Sequence, residues 1–215
     1  MKAFVVAGGD AVADDAALLA DADLVIAADS GAHWLDAQGR RPDRVVGDMD
    51  SVAPALLERL AADGVIIERH PVEKDASDLE LAVGRAVDLG ATEVVILGAL
   101  GGRLDHEVAN LLLLARPAWR GVGLSVVRGN ATARLLLAGD RLRLEGALGD
   151  LVTLLPLGGD ATDVRTDGLR YPLGGEALKV GSSLGLSNVV IHSPAGVSLG
   201  GGTLLVIEIT EETGS

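Results

Sequence analysis

Two carboxylates stand close together in Gly47-Asp48-Met49-Asp50-Ser51, directly after the apolar pair Val45-Val46. An Asp-x-Asp pair in a loop often does no more than fill a turn, but at the end of a buried strand it also suits a hard divalent cation, which takes oxygen ligands. A third acid, Asp78, closes Glu73-Lys74-Asp75-Ala76-Ser77-Asp78. The set Asp48, Asp50 and Asp78 matches magnesium, which keeps several waters and is shared between one or two carboxylates and substrate phosphates. Asp78 has an alternative role as a helix cap, because Ser77 and Asp78 precede a helical pattern that Glu80 would support. Charge of the opposite sign comes from Lys74 and from Gly101-Gly102-Arg103-Leu104-Asp105-His106, where a glycine pair lets backbone N–H groups approach phosphate oxygens. Arg103 has an alternative partner in Glu107, four residues on. Asp105 suits a substrate hydroxyl, or a metal reached through water. His33 and His106 read as structural, and Asn110, one turn beyond His106, is expected to face the same cleft.

These groups suit transfer of a phosphoryl-type unit, which needs positioning and neutralisation of phosphate charge and little covalent work by the protein. No Gly-x-x-x-x-Gly-Lys-Ser/Thr occurs, so the ordinary P-loop is excluded. No motif supports a covalent serine or cysteine mechanism.

The elements that must position these residues follow from hydrophobic patterning. Short apolar runs at 3–7, 24–27, 44–46, 65–67 and 94–97 read as strands, and helical spacing appears at 16–20, around Trp34 and Leu35, from Pro54 through Leu60, over 79–89 and over 108–114. Alternating apolar strands and helices predict a parallel sheet covered on both faces, in which ligands bind outside the carboxyl ends of the strands. Gly8-Gly9-Asp10, Asp29-Ser30-Gly31, Asp48 with Asp50, residues 74–78, and Arg103 with Asp105 all fall at that end. Beyond Pro117 the pattern becomes short runs separated by Gly, Asn and Asp, at 124–127, 133–137, 141–144, 151–155, 178–180, 189–191 and 204–209. The expected architecture is an N-terminal parallel-sheet α/β domain with helices on both faces over residues 1–128, followed by a C-terminal antiparallel β-sandwich over 129–215.

Composition narrows the partners. A net charge of −13 over 215 residues argues against nucleic acid or an anionic membrane, and 2% aromatic content leaves few platforms for base stacking. The N-terminal apolar run is too short for a signal peptide and no segment reaches the roughly 18 apolar residues of a membrane span, so a cytoplasmic protein is expected.

The ordered set AADSGA, PDRVVGDMDS, EKDASDLELA and GGRLDHEVAN, followed by GLRYPL and GLSN, resembles the thiamine pyrophosphokinase family over nearly the whole chain. That resemblance implies a homodimer with active sites between subunits, using magnesium to move the terminal diphosphate of ATP to the hydroxyl of thiamine and releasing AMP. It implies that Asp48, Asp50 and Asp78 bind metal, that Lys74, Asp75, Gly102, Arg103 and Asp105 contact nucleotide and diphosphate, and that Asp29 and Gly31 lie near the nucleotide. It also implies that Tyr171, Ser187 and Asn188 meet thiamine. Asp105 and Asp75 are the candidate bases, unless a loose transition state needs none. Ser30, His33 and Val189 depart from the family's usual residues. A related pyrophosphokinase acting on a pterin, or a non-catalytic nucleotide-binding module, is the alternative.

Overall fold

The computed structural model describes residues 1–73 and 75–211. The chain divides into two compact units, Met1–Gly129 and Asn130–Ser215. In the first, β1 (Lys2–Val6), β2 (Leu24–Ala28), β3 (Arg44–Gly47), β4 (Ile66–Arg69), β5 (Glu93–Leu97) and β6 (Gly123–Arg128) form a wholly parallel arrangement in the order β6-β5-β1-β2-β3-β4. The helices are α1 (Gly31–Ala37), α2 (Pro54–Ala62), α3 (Asp78–Asp88) and α4 (Leu104–Leu113). The turn of helix expected at 16–20 is a 3-10 helix, Ala13–Asp21.

Centrality decides burial. Phe4, Val5 and Val6 of β1 and Ile96 and Leu97 of β5 are at most 1% exposed, whereas Ile66 on the outermost strand β4 is 47% exposed. The edge strand therefore departs from the expectation that every strand is covered on both faces, because it has a neighbour on one side only. The order of strands reverses between β1 and β5, the place where open parallel sheets offer a crevice. Here the two loops are stitched together: Gly9 N–H donates to the Gly98 carbonyl and Asp10 N–H to the Leu100 carbonyl, both at 2.8 Å.

One ion-pair network ties the elements that carry acids at their ends. Glu68 on β4 accepts from Arg44 on β3 and from Arg85 on α3, each at 2.6 Å, with the Glu68 side chain 12% exposed. Asp48 follows β3 and Asp78 opens α3, so the clamp fixes the angle between both carriers.

In the second unit, β7 (Ala131–Leu137), β8 (Arg141–Leu144), β9 (Leu151–Pro156), β10 (Ala161–Asp167), β11 (Gly174–Leu178), β12 (Asn188–Val189), β13 (Ala195–Gly201) and β14 (Thr203–Ile209) pair antiparallel in the orders β12-β9-β14-β7 and β11-β10-β13-β8. Leu154, Leu204 and Val206 from the first set pack with Val164, Val197 and Leu199 from the second in one apolar core. Strands β10 and β13 escape the hydrophobic pattern. Ala-Thr-Asp-Val-Arg-Thr-Asp is mostly polar and its pairing with β11 shifts register, and glycines dilute the alternation in Ala-Gly-Val-Ser-Leu-Gly-Gly.

Replacing Glu68 by Ala is expected to lower unfolding free energy by about 2 kcal/mol, the scale of hydrogen bonds to a charged group. Urea denaturation at unchanged slope measures it, and a loss below about 0.5 kcal/mol would mean the clamp is solvated decoration.

Candidate metal and phosphate site

Three carboxylates converge beyond the carboxyl ends of β2 and β3. One oxygen each from Asp29, Asp48 and Asp78 lies within 4.8 Å of the other two. The sheet delivers the first two: Ala28 is in register with Val46, and the Asp29 N–H donates to the Val46 carbonyl at 2.9 Å. Asp29 itself sits at φ 43°, a left-handed conformation that Asp tolerates better than most residues. Helix α3 packs on β2 and β3 and brings Asp78. Gly47 makes the approach feasible, because a Cβ there would stand 2.9 Å from Asp78 Oδ1 and 3.1 Å from Asp29 Cβ. The helix cap falls to Ser77, whose hydroxyl accepts from Glu80 N–H at 3.2 Å, so Asp78 is the first helical residue rather than the cap.

Asp50 lies outside this trio, and Asp29 stands in it. The reason is the backbone turn between Asp48 and Asp50: Met49 adopts φ 68° and buries its side chain to 6% exposure, which leaves Asp50 exposed, its carboxylate accepting from Ser51 Oγ at 2.8 Å. Asp50 still acts on the group through its charge. Asp29 is only 8% exposed, and its Oδ1 has no hydrogen-bond partner among the described residues. Burial pushes its carboxyl above the ordinary 3.8; a backbone hydrogen bond at Ser30 opposes this, and the charges of Asp78, Asp50 and Asp48 push the same way as burial. A buried acceptor in a nest of like charges, all oxygen donors, fits a hard divalent cation.

The basic loop is organised differently from expectation. Arg103 pairs with Asp105 through Nε–Oδ1 at 3.1 Å and Nη2–Oδ2 at 2.6 Å, not with Glu107. The hydrogen bond from Arg103 and the charge behind it hold the Asp105 carboxyl down to about 2. The amides of Gly101 and Gly102, expected to cradle phosphate, both donate to Glu107 Oε1, at 2.8 and 2.7 Å. Asn110 faces inward, its Nδ2 donating to the Ala99 carbonyl at 2.7 Å, because a half-buried amide next to a loop carbonyl satisfies both. Gly31 is buried at the start of α1, while Asp75, Gly102 and His106 are exposed; Lys74 lies outside the described residues. His33 Nε2 accepts from Ala53 N–H at 3.2 Å and so ties α1 to the loop that carries Asp50.

In the second unit Tyr171 is 63% exposed and Ser187 is exposed at φ 54°. Asn188 turns its amide to the backbone. It is 7% exposed, and its Oδ1 accepts from the N–H groups of Tyr171 and Val189 at 3.0 and 2.9 Å while its Nδ2 donates to the Tyr171 carbonyl at 2.7 Å. Burial obliges the amide to find partners, and the backbone of the Tyr-Pro-Leu segment supplies them.

A family model described as "Thiamin pyrophosphokinase, catalytic domain" matches residues 16–125, and one described as "Thiamin pyrophosphokinase, vitamin B1 binding domain" matches residues 141–204. The chain belongs to the thiamine pyrophosphokinase family. It is 27% identical over 188 residues to "Thiamine pyrophosphokinase" of Bacillus subtilis, spanning 87% of this chain and 88% of that protein. "Thiamine pyrophosphokinase 1" of Arabidopsis thaliana is 32% identical over 162 residues, 70% of this chain and 59% of the plant protein. The crystal structure of the Bacillus subtilis protein superposes with a TM-score of 0.88 at 27% identity, covering 98% of this chain and all of that one. Thiamin pyrophosphokinase from Candida albicans, at 17% identity, shares the fold with a TM-score of 0.82. Membership of the thiamine pyrophosphokinase family makes the chain an ATP-dependent enzyme that forms thiamine diphosphate. The matches do not support a pterin-directed activity or a non-catalytic module.

The raised value of Asp29 sets a sign. Ionised Asp29 opposes folding of the metal-free protein, so that protein gains stability as pH falls through the raised value towards the 3.8 of the unfolded chain. Replacing Asp29 by Asn should raise the melting temperature of metal-free protein at pH 7 and flatten this pH dependence. A lower melting temperature than wild type would contradict the charge account.

Proposed function

We propose that the chain transfers the terminal diphosphate of ATP to the hydroxyl of thiamine, releasing AMP, with a magnesium ion held by Asp29, Asp48 and Asp78. The convergence of those three carboxylates at the strand ends supports the assignment. Bound there, the ion would neutralise polyphosphate charge, which is the larger part of what such a transfer requires. The chain's own residues do the rest. Asp50 adds negative charge at the rim and would strengthen the pull on the ion from there. Arg103, its guanidinium 74% exposed, meets the diphosphate as charge builds on the bridging oxygen that leaves with AMP. Asp105, kept ionised by Arg103, orients that guanidinium; a carboxyl held down to about 2 is a weak base, so the thiamine hydroxyl proton is left to Asp75 or is lost late from a loose transition state. Lys74, Asp75 and Gly31 keep the nucleotide contacts that the motifs imply, and Gly102 serves there through the path of its loop, its amide being held by Glu107.

The second unit receives thiamine in this reading. Tyr171 and Ser187 present exposed groups to it, and Asn188 acts by fixing the Tyr171 backbone. Neither nucleic acid nor membrane is a partner in this reading, and the protein works in the cytoplasm. It works as a homodimer with the active sites between subunits, as the family resemblance implies. Helix α4 buries no side chain and exposes Leu104, Val108 and Leu112, four residues apart, by 75, 49 and 49%. Such an apolar stripe suits a second copy. A Val108→Glu variant that sediments as the wild type does would remove this face from the interface.

Purified protein given Mg-ATP and thiamine should yield AMP and thiamine diphosphate in equal amounts by chromatography. Asp48→Asn should cut turnover at least about a hundredfold with no loss of melting temperature. ADP with thiamine monophosphate would show that the other phosphorus is attacked.

A further inference from the structure

We propose that Glu107 is the positioning residue of the Gly101–Arg103 loop, and that by occupying both glycine amides it leaves nucleotide phosphate charge to the Arg103 guanidinium. The inference rests on the reaction proposed above. One oxygen, Glu107 Oε1, takes two consecutive backbone N–H groups at 2.8 and 2.7 Å. That is the arrangement in which a backbone nest holds a phosphate oxygen, filled here from within the chain. Glu107 lies in the first turn of α4 and reaches back past the helix start, where the partial positive charge of the N-terminus favours a carboxylate.

The loop has little freedom around this contact. Gly101 adopts φ 86°, and a Cβ at that position would stand 2.4 Å from the Asp10 Cβ, so the loop passes directly against the β1 loop. Arg103 follows at once as the residue preceding α4, its side chain projecting into solvent and braced on Asp105. Glu107 thus settles the backbone path, and Arg103 takes its direction from that path. With the amides engaged, the guanidinium is the group of this loop that meets an incoming phosphate.

The test compares Glu107→Ala, Glu107→Asp and Glu107→Gln in the full-length protein. Gln keeps an acceptor oxygen at the same reach; Asp keeps the charge but is one methylene short. The KM for MgATP should rise about tenfold in the Ala and Asp variants and stay within about threefold of wild type in Gln. The KM for thiamine should remain within about twofold throughout, with melting temperatures alike. Calorimetric titration of ATP, with no turnover, should reproduce the same order. If the wild type makes no thiamine diphosphate, the functional reading fails while the binding series still tests Glu107. Wild-type affinity in the Ala and Asp variants overturns the proposal. So does ATP bound more tightly by Ala than by wild type, which would make the emptied amides the phosphate cradle, and so does a Gln variant as impaired as Ala, which would make charge rather than reach the requirement.

Discussion

Three carboxylates within 4.8 Å of one another repel on the order of a few kcal/mol per pair, and the first unit is arranged to hold them there. Hydrogen bonding in register sets Asp29 beside the end of β3, and the absent side chain of Gly47 opens the space they share. The start of α3 brings the third acid with a helix N-terminus behind it, which offsets part of the repulsion. The Glu68 clamp works from the other side, holding β3, β4 and α3 as one body. A fold that concentrates like charge in a half-buried place loses stability there, and it keeps such a place where a cation makes up the difference.

Charge of the other sign is handled with equal economy. Two amides that would suit a phosphate are closed by Glu107, and the nearby cation is an arginine braced by Asp105. On the reading proposed here for Glu107, phosphate meets side chains that can be aimed, not a glycine cradle of the P-loop kind. In the second unit the same logic appears at Asn188, whose buried amide bonds to the backbone and thereby fixes how Tyr171 is shown to solvent.

Much of this was legible in the sequence because parallel strands are apolar runs and their carboxyl ends collect polar residues. Asp48 and Asp78 were found that way. Asp29 stands at a strand end in the sequence too, where the family resemblance implies a nucleotide contact; its nearness to Asp48 depends on β2 and β3 being neighbours, which spacing does not show. Asp50 looked equivalent to Asp48 because sequence gives no sign that Met49 would turn the chain through φ 68°. Glu107 was seen only as an ion-pair candidate for Arg103; a carboxylate reaching back over the helix start leaves no periodic trace. Strands β10 and β13 were missed where polar residues and glycines mask alternation, and there neighbouring strands supply the order that local pattern lacks.

Whether Asp29, Asp48 and Asp78 together hold a divalent cation is tested most directly by equilibrium binding of Mn²⁺, followed by its paramagnetic resonance in the absence of nucleotide. The wild-type protein should bind one ion, Asp29→Asn should weaken that binding at least about tenfold, and Asp50→Asn should weaken it less. Binding that survives Asp29→Asn unchanged and disappears in Asp50→Asn would return the site to the two acids of the Asp-x-Asp pair and contradict the arrangement described.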